Sequence, residues 1–377
     1  MKLGEYRSAA LRLATNLRGW KTKRKLLVIE SDDWGAIRMP SKDTWDSLLA
    51  AGIRVDQSKY DSLDCLETRE DVQALMNVID THRDASGRPA LFTFNTIMGN
   101  PDFDAIERDD FQRFHHQHFF DSYRFYSGED LRGDWMRAIE DGLIRAQFHG
   151  REHLNSLLWM TDLKAGHREV RLAFGFRFYG LQAKTSSSWQ RHYKAAFSAE
   201  SNHQLQAMND IALDGLTMFE RTFGYPSKTF VACNYVLPSG LEQHLSKQGI
   251  DLLQTQRGYM EPMPECGGKR RVRYRRTGQK NKFGQRYGVR NVLFEPYLDQ
   301  SVDWSRRALR EVGQAFRFGT PAIVCSHRVN YVSGMDIAHR DRNLKQLDSF
   351  LAGVRKSWPD VEFISSCELS GMMRLGS

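Results

Sequence analysis

The chain has 377 residues, of which 41% are apolar, and carries a net charge of +8 with a mean hydropathy of −0.56. This length and apolar content support a sizeable core in one large domain or two ordinary ones, and no run of about 18 apolar residues is present that could cross a bilayer. The five cysteines form no CxxC pair, so neither a disulfide framework nor a zinc ribbon is indicated. Reduced thiols agree with a cytoplasmic protein.

Residues 1–24 form a basic, amphipathic segment in which Leu11, Leu13 and Leu17 lie among arginines. The segment lacks the apolar region and the small-residue cleavage site of a secretory signal. We therefore expect an N-terminal surface helix on a cytoplasmic protein, and a weak association with membranes stays open.

The first strand is predicted at residues 26–29, where four apolar residues precede the pair Asp32-Asp33 and the turn residue Gly35. Further strands are predicted at 91–94, 143–149, 229–233, 251–253, 291–294, 322–325 and 361–364, with helices at 41–52, 68–79, 135–139, 154–163, 205–224, 239–249, 303–316 and 344–354. No Asn-Gly or Asp-Gly pair lies between two strand-like runs, so no hairpin is indicated. The alternation predicts an α/β fold, a barrel or partial barrel of parallel strands.

We expect residues 25–377 to form one domain with insertions near 167–200 and 262–290. The second insertion contains the segment Lys269 to Arg290, which carries ten Lys and Arg residues and no acid. A flexible basic loop that meets an anionic substrate such as a diphosphate is one interpretation, and a solvated loop without a partner is another. We expect no nucleic acid as a partner, because no recognised nucleic-acid module accompanies the segment.

Polar residues that could carry chemistry follow three predicted strands, and in α/β barrels such strand ends form the active site. They are Asp32 with Asp33, His149 with His153, and His327. Two histidines and one carboxylate can hold a catalytic Zn²⁺ that lowers the pKa of a bound water to about 7. A His-x-x-x-His pattern alone is weak evidence, but together with the other two strand ends it favours a metal-dependent hydrolase.

These patterns resemble the polysaccharide deacetylase superfamily, which includes chitin and peptidoglycan deacetylases. The matching motifs, in the family's order, are Ser31-Asp32-Asp33-Trp34-Gly35, His149-Gly-Arg-Glu-His153 and Ile323-Val324-Cys325-Ser326-His327. The resemblance extends from about Lys25 to Cys367 and implies a distorted (β/α) barrel of about seven parallel strands.

The resemblance also implies the roles of the motif residues. It makes Asp32 the general base and His327 the general acid. The metal ligands that it implies are Asp33, His149 and His153, around one divalent metal, Zn²⁺ in the first place, with other transition metals open.

Two departures from the family pattern concern the groups that support the base and the acid. The family has an Arg that orients the base. The corresponding segment of this chain, residues 230–235, contains Asn234 and no Arg, and Arg151 is a second candidate for that role. Where the family has an Asp in its fourth motif, Glu295 follows the strand, and Asp303-Trp304 resembles the motif farther along the chain. The substrate-binding residues that we predict are Trp34, Asn95, Arg151, Asn155 and Asn234.

The predicted function is a metal-dependent hydrolase that removes an acyl group, N-acetyl in the first place, from a carbohydrate. A precursor or intermediate of surface-polysaccharide synthesis, linked to a phosphate or diphosphate, would suit the basic segment. Hydrolysis of a small cyclic amide on the same scaffold, a non-catalytic carbohydrate-binding barrel and a nucleic-acid-binding protein remain alternatives. The sequence leaves open the sugar, the acyl group, the physiological metal and the oligomeric state.

Overall fold

The computed structural model describes residues 15–182, 192–267 and 269–375. The strands are β1 (Lys25–Trp34), β2 (Phe92–Ile97), β3 (Gly99–Pro101), β4 (His116–His118), β5 (Ile144–Gly150), β6 (Thr229–Val231), β7 (Leu252–Thr255), β8 (Gly258–Met263), β9 (Lys269–Tyr274), β10 (Arg286–Val289), β11 (Val292–Leu293), β12 (Ala322–His327) and β13 (Val361–Phe363). The helices are α1 (Lys42–Ala50), α2 (Lys59–Leu63), α3 (Arg69–Asp80), α4 (Phe103–Arg108), α5 (Phe119–Ser127), α6 (Arg132–Glu140), α7 (Ser156–Lys164), α8 (Arg168–Gly175), α9 (Asn202–Phe223), α10 (Ser239–Lys247), α11 (Trp304–Arg317), α12 (Ile337–Ser357) and α13 (Ser366–Leu375).

Nine of these strands form one curled parallel sheet in the order β10-β7-β6-β5-β2-β1-β12-β11, with β13 paired to the start of β1. The edge strands β10 and β11 are separated in sequence only by Arg290 and Asn291. The Arg290 N–H donates to the Thr255 carbonyl at 2.9 Å and the Asn291 N–H to the Ile323 carbonyl at 3.0 Å, so the chain itself crosses from one sheet edge to the other. With β10 and β11 taken as one bent strand, and β13 left aside, the described sheet has the seven strands predicted, in a distorted (β/α) barrel.

Successive side chains of β1 point alternately into the core beneath the surrounding helices and into the interior of the barrel. Leu27 and Ile29 belong to the large core formed with the surrounding helices, whereas Leu26 and Val28 pack in a separate small cluster with residues such as Ile323. The same side of β1 continues with Glu30 and Asp32, both buried. The barrel interior is therefore apolar at the start of the strands and charged near their carboxyl ends.

The regions that we treated as an N-terminal helix and as insertions have mixed outcomes. Residues 15–18 are helical, whereas residues 1–14 of the predicted N-terminal helix lie outside the described residues. The segment near 167–200 contains α8, and its residues 183–191 also lie outside the description. The predicted insertion near 262–290 includes the basic segment 269–290 that was expected to be a flexible loop. That segment is not a single loop, because β9 pairs with β8 as an antiparallel hairpin that sequence patterns did not reveal, and β10 follows in the main sheet. Among the described residues, no helix combines the length and apolar character needed to span a bilayer.

Candidate active site

A β-bulge at the end of β1 turns the two adjacent aspartates in different directions. The pairing of β1 with β2 shifts register between Ser31 and Trp34, and Asp33 adopts a left-handed backbone conformation with φ of 77°. Bulges re-aim side chains next to active sites, and Asp tolerates the left-handed region better than most residues. Asp32 consequently stays on the inner side of β1, whereas Asp33 reaches the end of β5.

Asp33, His149 and His153 meet there in a buried group with the spacing of a metal site. The Asp33 Oδ1 atom lies 3.3 Å from His149 Nε2 and 3.1 Å from His153 Nε2. Ligand atoms bound to Zn²⁺ at about 2.1 Å in a tetrahedron are about 3.4 Å apart, so the observed distances suit one shared cation. Gly150, with φ of 146°, turns the chain directly after His149 and so allows His153 to return to the same point.

The hydrogen bonds of His149 direct its Nε2 atom at Asp33. His149 Nδ1 lies 2.8 Å from the Val231 carbonyl, which can only accept, so Nδ1 carries a proton and Nε2 is the atom that faces Asp33 Oδ1. Burial and the nearby Arg38 lower the pKa of His153 to about 3, which keeps that imidazole neutral. Backbone support at Nδ1 is the usual partner of a ligating histidine. His149 has this support, whereas the buried Nδ1 of His153 has no hydrogen-bond partner among the described residues.

The second oxygen of Asp33 is bound by protein donors. Arg38 Nη2 lies 3.0 Å from Asp33 Oδ2, and the Tyr60 hydroxyl donates to the same oxygen at 3.2 Å. Although burial raises the pKa of Asp33, Arg38 and the histidines hold it well below its usual range. Arg38 also approaches Asp64, which in turn pairs with the fully buried Arg328. Asp33 is thus ionised and fixed in orientation, as a carboxylate ligand has to be.

Asp32 lies beside this group and is held by a bidentate arginine. Arg290 donates from Nη1 to Asp32 Oδ2 and from Nη2 to Oδ1, each at 2.7 Å, and Asn95 Nδ2 donates to Oδ1 at 2.7 Å. The Arg290 Nε–H donates to Glu30 Oε2 at 2.7 Å. Although burial raises the pKa of Asp32, Arg290 lowers it to about 2. Asp32 is therefore ionised at neutral pH and has the protonation state of a general base.

Arg290 is the functional residue that the sequence analysis missed, because it was counted with the basic segment. Neither predicted substitute for the family's orienting arginine takes that role. Arg151 donates from Nε to Glu152 Oε2 at 2.6 Å and from Nη1 to Asp214 at 3.0 Å, and it makes no contact with Asp32. Asn234 is exposed at the pocket. The signal that could have identified Arg290 is its position directly after the strand-like run 286–289.

His327 and Glu295 form a second supported pair across the pocket from the histidine ligands. His327 Nδ1 lies 2.5 Å from Glu295 Oε1, Asn330 donates to Glu295 Oε2 at 2.8 Å, and His327 Nε2 is 3.5 Å from Asp32 Oδ2. Burial lowers the pKa of His327, but Glu295 and Asp32 together raise it to about 9. His327 is thus a cation at neutral pH, with a proton available on Nε2.

Of the two carboxylates that the sequence analysis considered, Glu295 is therefore the one that contacts His327. Asp303, the other candidate, caps α11 by accepting from the Arg306 N–H at 2.8 Å, and Trp304 is buried beside it. Neither of these two residues lines the pocket.

All five predicted catalytic and metal-binding residues line one cavity of about 310 Å³ at the carboxyl ends of the strands, which is at the small end of ligand pockets of roughly 300–1,000 Å³. Asn234 lines it as well. The lining residues that the sequence analysis did not single out are Arg38, Ser58, Tyr60, Lys194, Ala232 and Tyr235.

Three of the predicted substrate-binding residues have structural positions instead. Trp34 is fully buried and stacks on Phe94 with ring centroids 3.7 Å apart. Asn95 lies beneath Asp32, which it holds. Asn155 caps α7, where its Oδ1 accepts from the Leu158 N–H at 3.1 Å. None of the three lines the pocket, because the pleat and the helix start direct their side chains into the protein. Arg151, the fourth predicted residue outside the pocket lining, is held by Glu152 and Asp214.

Two cysteines lie close enough to the site to be considered as ligands. Cys233 groups with His149 and His153, but its Sγ–H donates to the His149 carbonyl at 3.4 Å and burial raises its pKa well above its usual range. Cys325 groups with Glu295 and His327, where Arg290 Nη1 lies 3.6 Å from its sulfur. Burial raises the pKa of Cys325 to about 12, in spite of the opposing effect of Arg290. Metal-binding cysteines are thiolates, so the protonated state of both cysteines favours Asp33 as the third ligand.

The sheet and the three motifs at its carboxyl edge give the chain the divergent polysaccharide-deacetylase-like fold that the sequence predicted. No family model and no curated protein matches the chain. Its fold is similar to a protein assigned as a polysaccharide deacetylase of Mycobacterium smegmatis (11% identity over 94% of this chain and 92% of that one, TM-score 0.44). It is also similar to a protein assigned as a glycoside hydrolase or deacetylase of Parabacteroides distasonis (11% identity over 94% of this chain and 72% of that one, TM-score 0.48). A third similar structure is that of a protein assigned as a polysaccharide deacetylase of Pseudomonas aeruginosa (9% identity over 94% of this chain and 92% of that one, TM-score 0.45).

Proposed function

We propose that the protein is a hydrolase that depends on one divalent metal and removes an acyl group, N-acetyl in the first place, from a carbohydrate. The observation that carries the proposal is the convergence of three groups on one cavity: a metal-ligand triad, an ionised carboxylate and a cationic imidazole. Titratable groups whose pKa values are driven apart by their surroundings are typical of a general base and a general acid.

A divalent cation held by Asp33, His149 and His153 would supply Lewis-acid polarisation of the acyl oxygen and a lowered pKa for the attacking water. Asp32 accepts the proton of that water, because Arg290 keeps the carboxylate ionised. His327 donates its Nε2 proton to the leaving amine, and Glu295 keeps the imidazole charged until then. The acyl carbon gains the water oxygen as its bond to the amine nitrogen breaks, which yields a carboxylate and an amine.

The basic segment 269–290 contributes to this site in a different way from the one predicted. Arg271 and Arg273 donate to Glu261 at 2.7 and 2.5 Å, and Arg290 binds Asp32. Among the described residues of the segment, none lines the cavity. A phosphate or diphosphate link in the substrate therefore has no support from this segment and, if present, would be bound by other residues.

The first test is the metal content of protein purified without chelator or affinity metal, measured by mass spectrometry beside His149→Ala. About one equivalent of a divalent transition metal in the parent protein, lost in the variant, is expected. His115→Ala is the matched control, since His115 is half-buried outside the cavity. Absence of metal from the parent protein even after reconstitution would instead favour a non-catalytic barrel.

The second test is the release of acetate from N-acetylated sugars by the metal-loaded protein. Acetate release that disappears in Asp32→Asn supports the proposed reaction. A ring-opened carboxylate produced from a cyclic amide, with no acetate from any acetylated sugar, would replace the proposed substrate by the alternative one.

A further inference from the structure

We propose that the cavity contains a subsite for an anionic group of the substrate, a carboxylate or a phosphate, formed by Arg38 and Lys194. Both side chains line the same cavity as the metal-ligand triad. The inference deepens the proposed function, on which it rests for the identity of the substrate as a sugar, but the two can be tested separately.

Arg38 has more hydrogen-bond donors than the described protein groups use. Its side chain is 4% exposed, and its Nε and Nη1 atoms make no hydrogen bond to any described residue. Its two ionic neighbours are Asp33, at 3.0 Å from Nη2, and Asp64, at 3.3 Å from Nε. A guanidinium has five N–H donors in a planar fork that matches an oxyanion. Unfilled donors on a buried cation at a cavity wall indicate a ligand that supplies acceptors.

Arg38 shares each of the two carboxylates that it faces with other residues. Asp33 meets Arg38 through Oδ2, while its Oδ1 is directed at His149 and His153. Asp64 accepts from Arg328 Nη2 through both of its oxygens, at 3.1 Å each. Arg38 therefore shares both of its acidic neighbours with other residues, and its Nε and Nη1 atoms form no hydrogen bond to them, so an additional anion would complete its surroundings.

Lys194 adds a second cation to the same wall. Its side chain is 10% exposed, and its Nζ pairs with Asp61. An ammonium group has three donors, and this ion pair uses one of them. Ser58 and Tyr60 line the same cavity; the Tyr60 hydroxyl donates to Asp33, so its oxygen can only accept from a ligand, and Ser58 offers a hydroxyl group. The four residues thus form a polar wall with two buried cations, a common way of binding a carboxylate or phosphate.

The position of the wall defines the substrate class. Since Arg38 contacts Asp33 directly, the anionic group has to lie within about one sugar ring of the acyl group that is removed. The expected substrate is therefore an acylated amino sugar with an acidic substituent on the same or the neighbouring ring, such as a uronic acid or a sugar phosphate.

The test compares the binding of glucuronate, glucose 6-phosphate and glucose to the metal-loaded full-length protein by calorimetry at constant ionic strength. At least one of the charged sugars is expected to bind about tenfold or more tightly than glucose, the gain typical of a charge-assisted hydrogen bond. Which of the two binds better distinguishes a carboxylate from a phosphate subsite. Lys194→Met should abolish the preference, whereas Lys345→Met, which removes an exposed lysine outside the cavity, should retain it.

Loss of Lys194 leaves the buried Asp61 without its partner, so the double variant Lys194→Gln with Asp61→Asn provides a neutral pair in its place. The double variant is expected to bind the charged sugars no better than glucose while it retains its metal. Failure of both charged sugars to bind more tightly than glucose, or a preference that survives in both variants, would overturn the subsite. A preference for charged sugars without acetate release from any acetylated sugar would support the subsite and contradict the proposed hydrolase. Acetate release without a preference for charged sugars would support the hydrolase and contradict the subsite.

Discussion

Arg290 and Asp32 are 258 residues apart in the chain and are joined by two parallel hydrogen bonds of 2.7 Å. This bidentate pair holds the predicted general base in its ionised form. The sequence analysis expected an orienting group from the segment 230–235 or from Arg151. The cation that contacts Asp32 comes instead from the residue that follows β10.

Replacement of Arg290 by Gln should raise the pKa of Asp32 from about 2, because the cation that opposes the effect of burial is lost. The acidic limb of the pH–activity profile should therefore move to higher pH, and kcat/KM at pH 7 should fall by about 10- to 100-fold. Arg271→Gln, in the exposed part of the same basic segment, is the control and should leave the profile unchanged. An Arg290→Gln profile that coincides with the parent profile would contradict the orienting role.

The adjacent aspartates should respond differently to the same substitution. Asp33→Asn should release the metal, whereas Asp32→Asn should keep it and lose about 10²- to 10⁴-fold in kcat, the range for removal of a general base. Metal content and acetate release measured on both variants separate the two roles. Equal metal loss in both variants would mean that the bulge does not divide the functions of the pair.

Glu295→Gln should lower the pKa of His327 from about 9 towards the ordinary value of about 6.5. The protonated imidazole is present below its pKa and lost above it, so the alkaline limb of activity should move to lower pH. At pH 8 we expect kcat to fall about tenfold or more, with a smaller effect at pH 6. Asp303→Asn, which keeps the cap of α11, is the matched control for the alternative fourth-motif carboxylate. If the alkaline limb of activity shifts in Asp303→Asn and does not shift in Glu295→Gln, Asp303 and not Glu295 would be the carboxylate that supports His327.

Asn155→Ala should act on stability and not on substrate affinity. The variant loses the cap of α7 and the bond from Nδ2 to the Ser198 carbonyl, so the free energy of unfolding should fall by about 1–2 kcal/mol. Asn155→Ser retains a capping oxygen and should recover part of the loss. Denaturant titration beside KM measures the two effects. An increase in KM at unchanged stability would restore the predicted substrate contact.

The sequence was sufficient for the parts of the site that lie within short motifs. Asp32, Asp33, His149, His153 and His327 each follow an apolar strand, and parallel strands bring their carboxyl ends to one edge. The hydrophobic pattern likewise predicted the barrel.

The supporting residues depend on strand register and side-chain direction, which a single sequence does not contain. Arg290 was hidden within a run of like charges, and nothing local indicates that it points inward while Arg271 binds at the surface. Trp34 follows the two aspartates directly but turns into the apolar core, and Asn95 lies on the inner side of β2 but beneath Asp32, which separates it from the cavity. Arg38 and Lys194 come from loops, whose path follows from the packing of the whole molecule.

The crossing of the chain at Arg290 and Asn291 links the accuracy of folding to the chemistry of the site. A slip of β10 by one residue against β7 would turn every side chain of the segment to the opposite face and place an apolar valine where the guanidinium belongs. Glu30 would then be a buried carboxylate without its cationic partner, and Asp32 would keep only His327, at 3.5 Å, as a counter-charge. Such a molecule would be inactive and would also be less stable, because a buried charge without its partner is strongly destabilising. The ion pairs of Arg290 therefore favour the correct register of β10 over a register shifted by one residue.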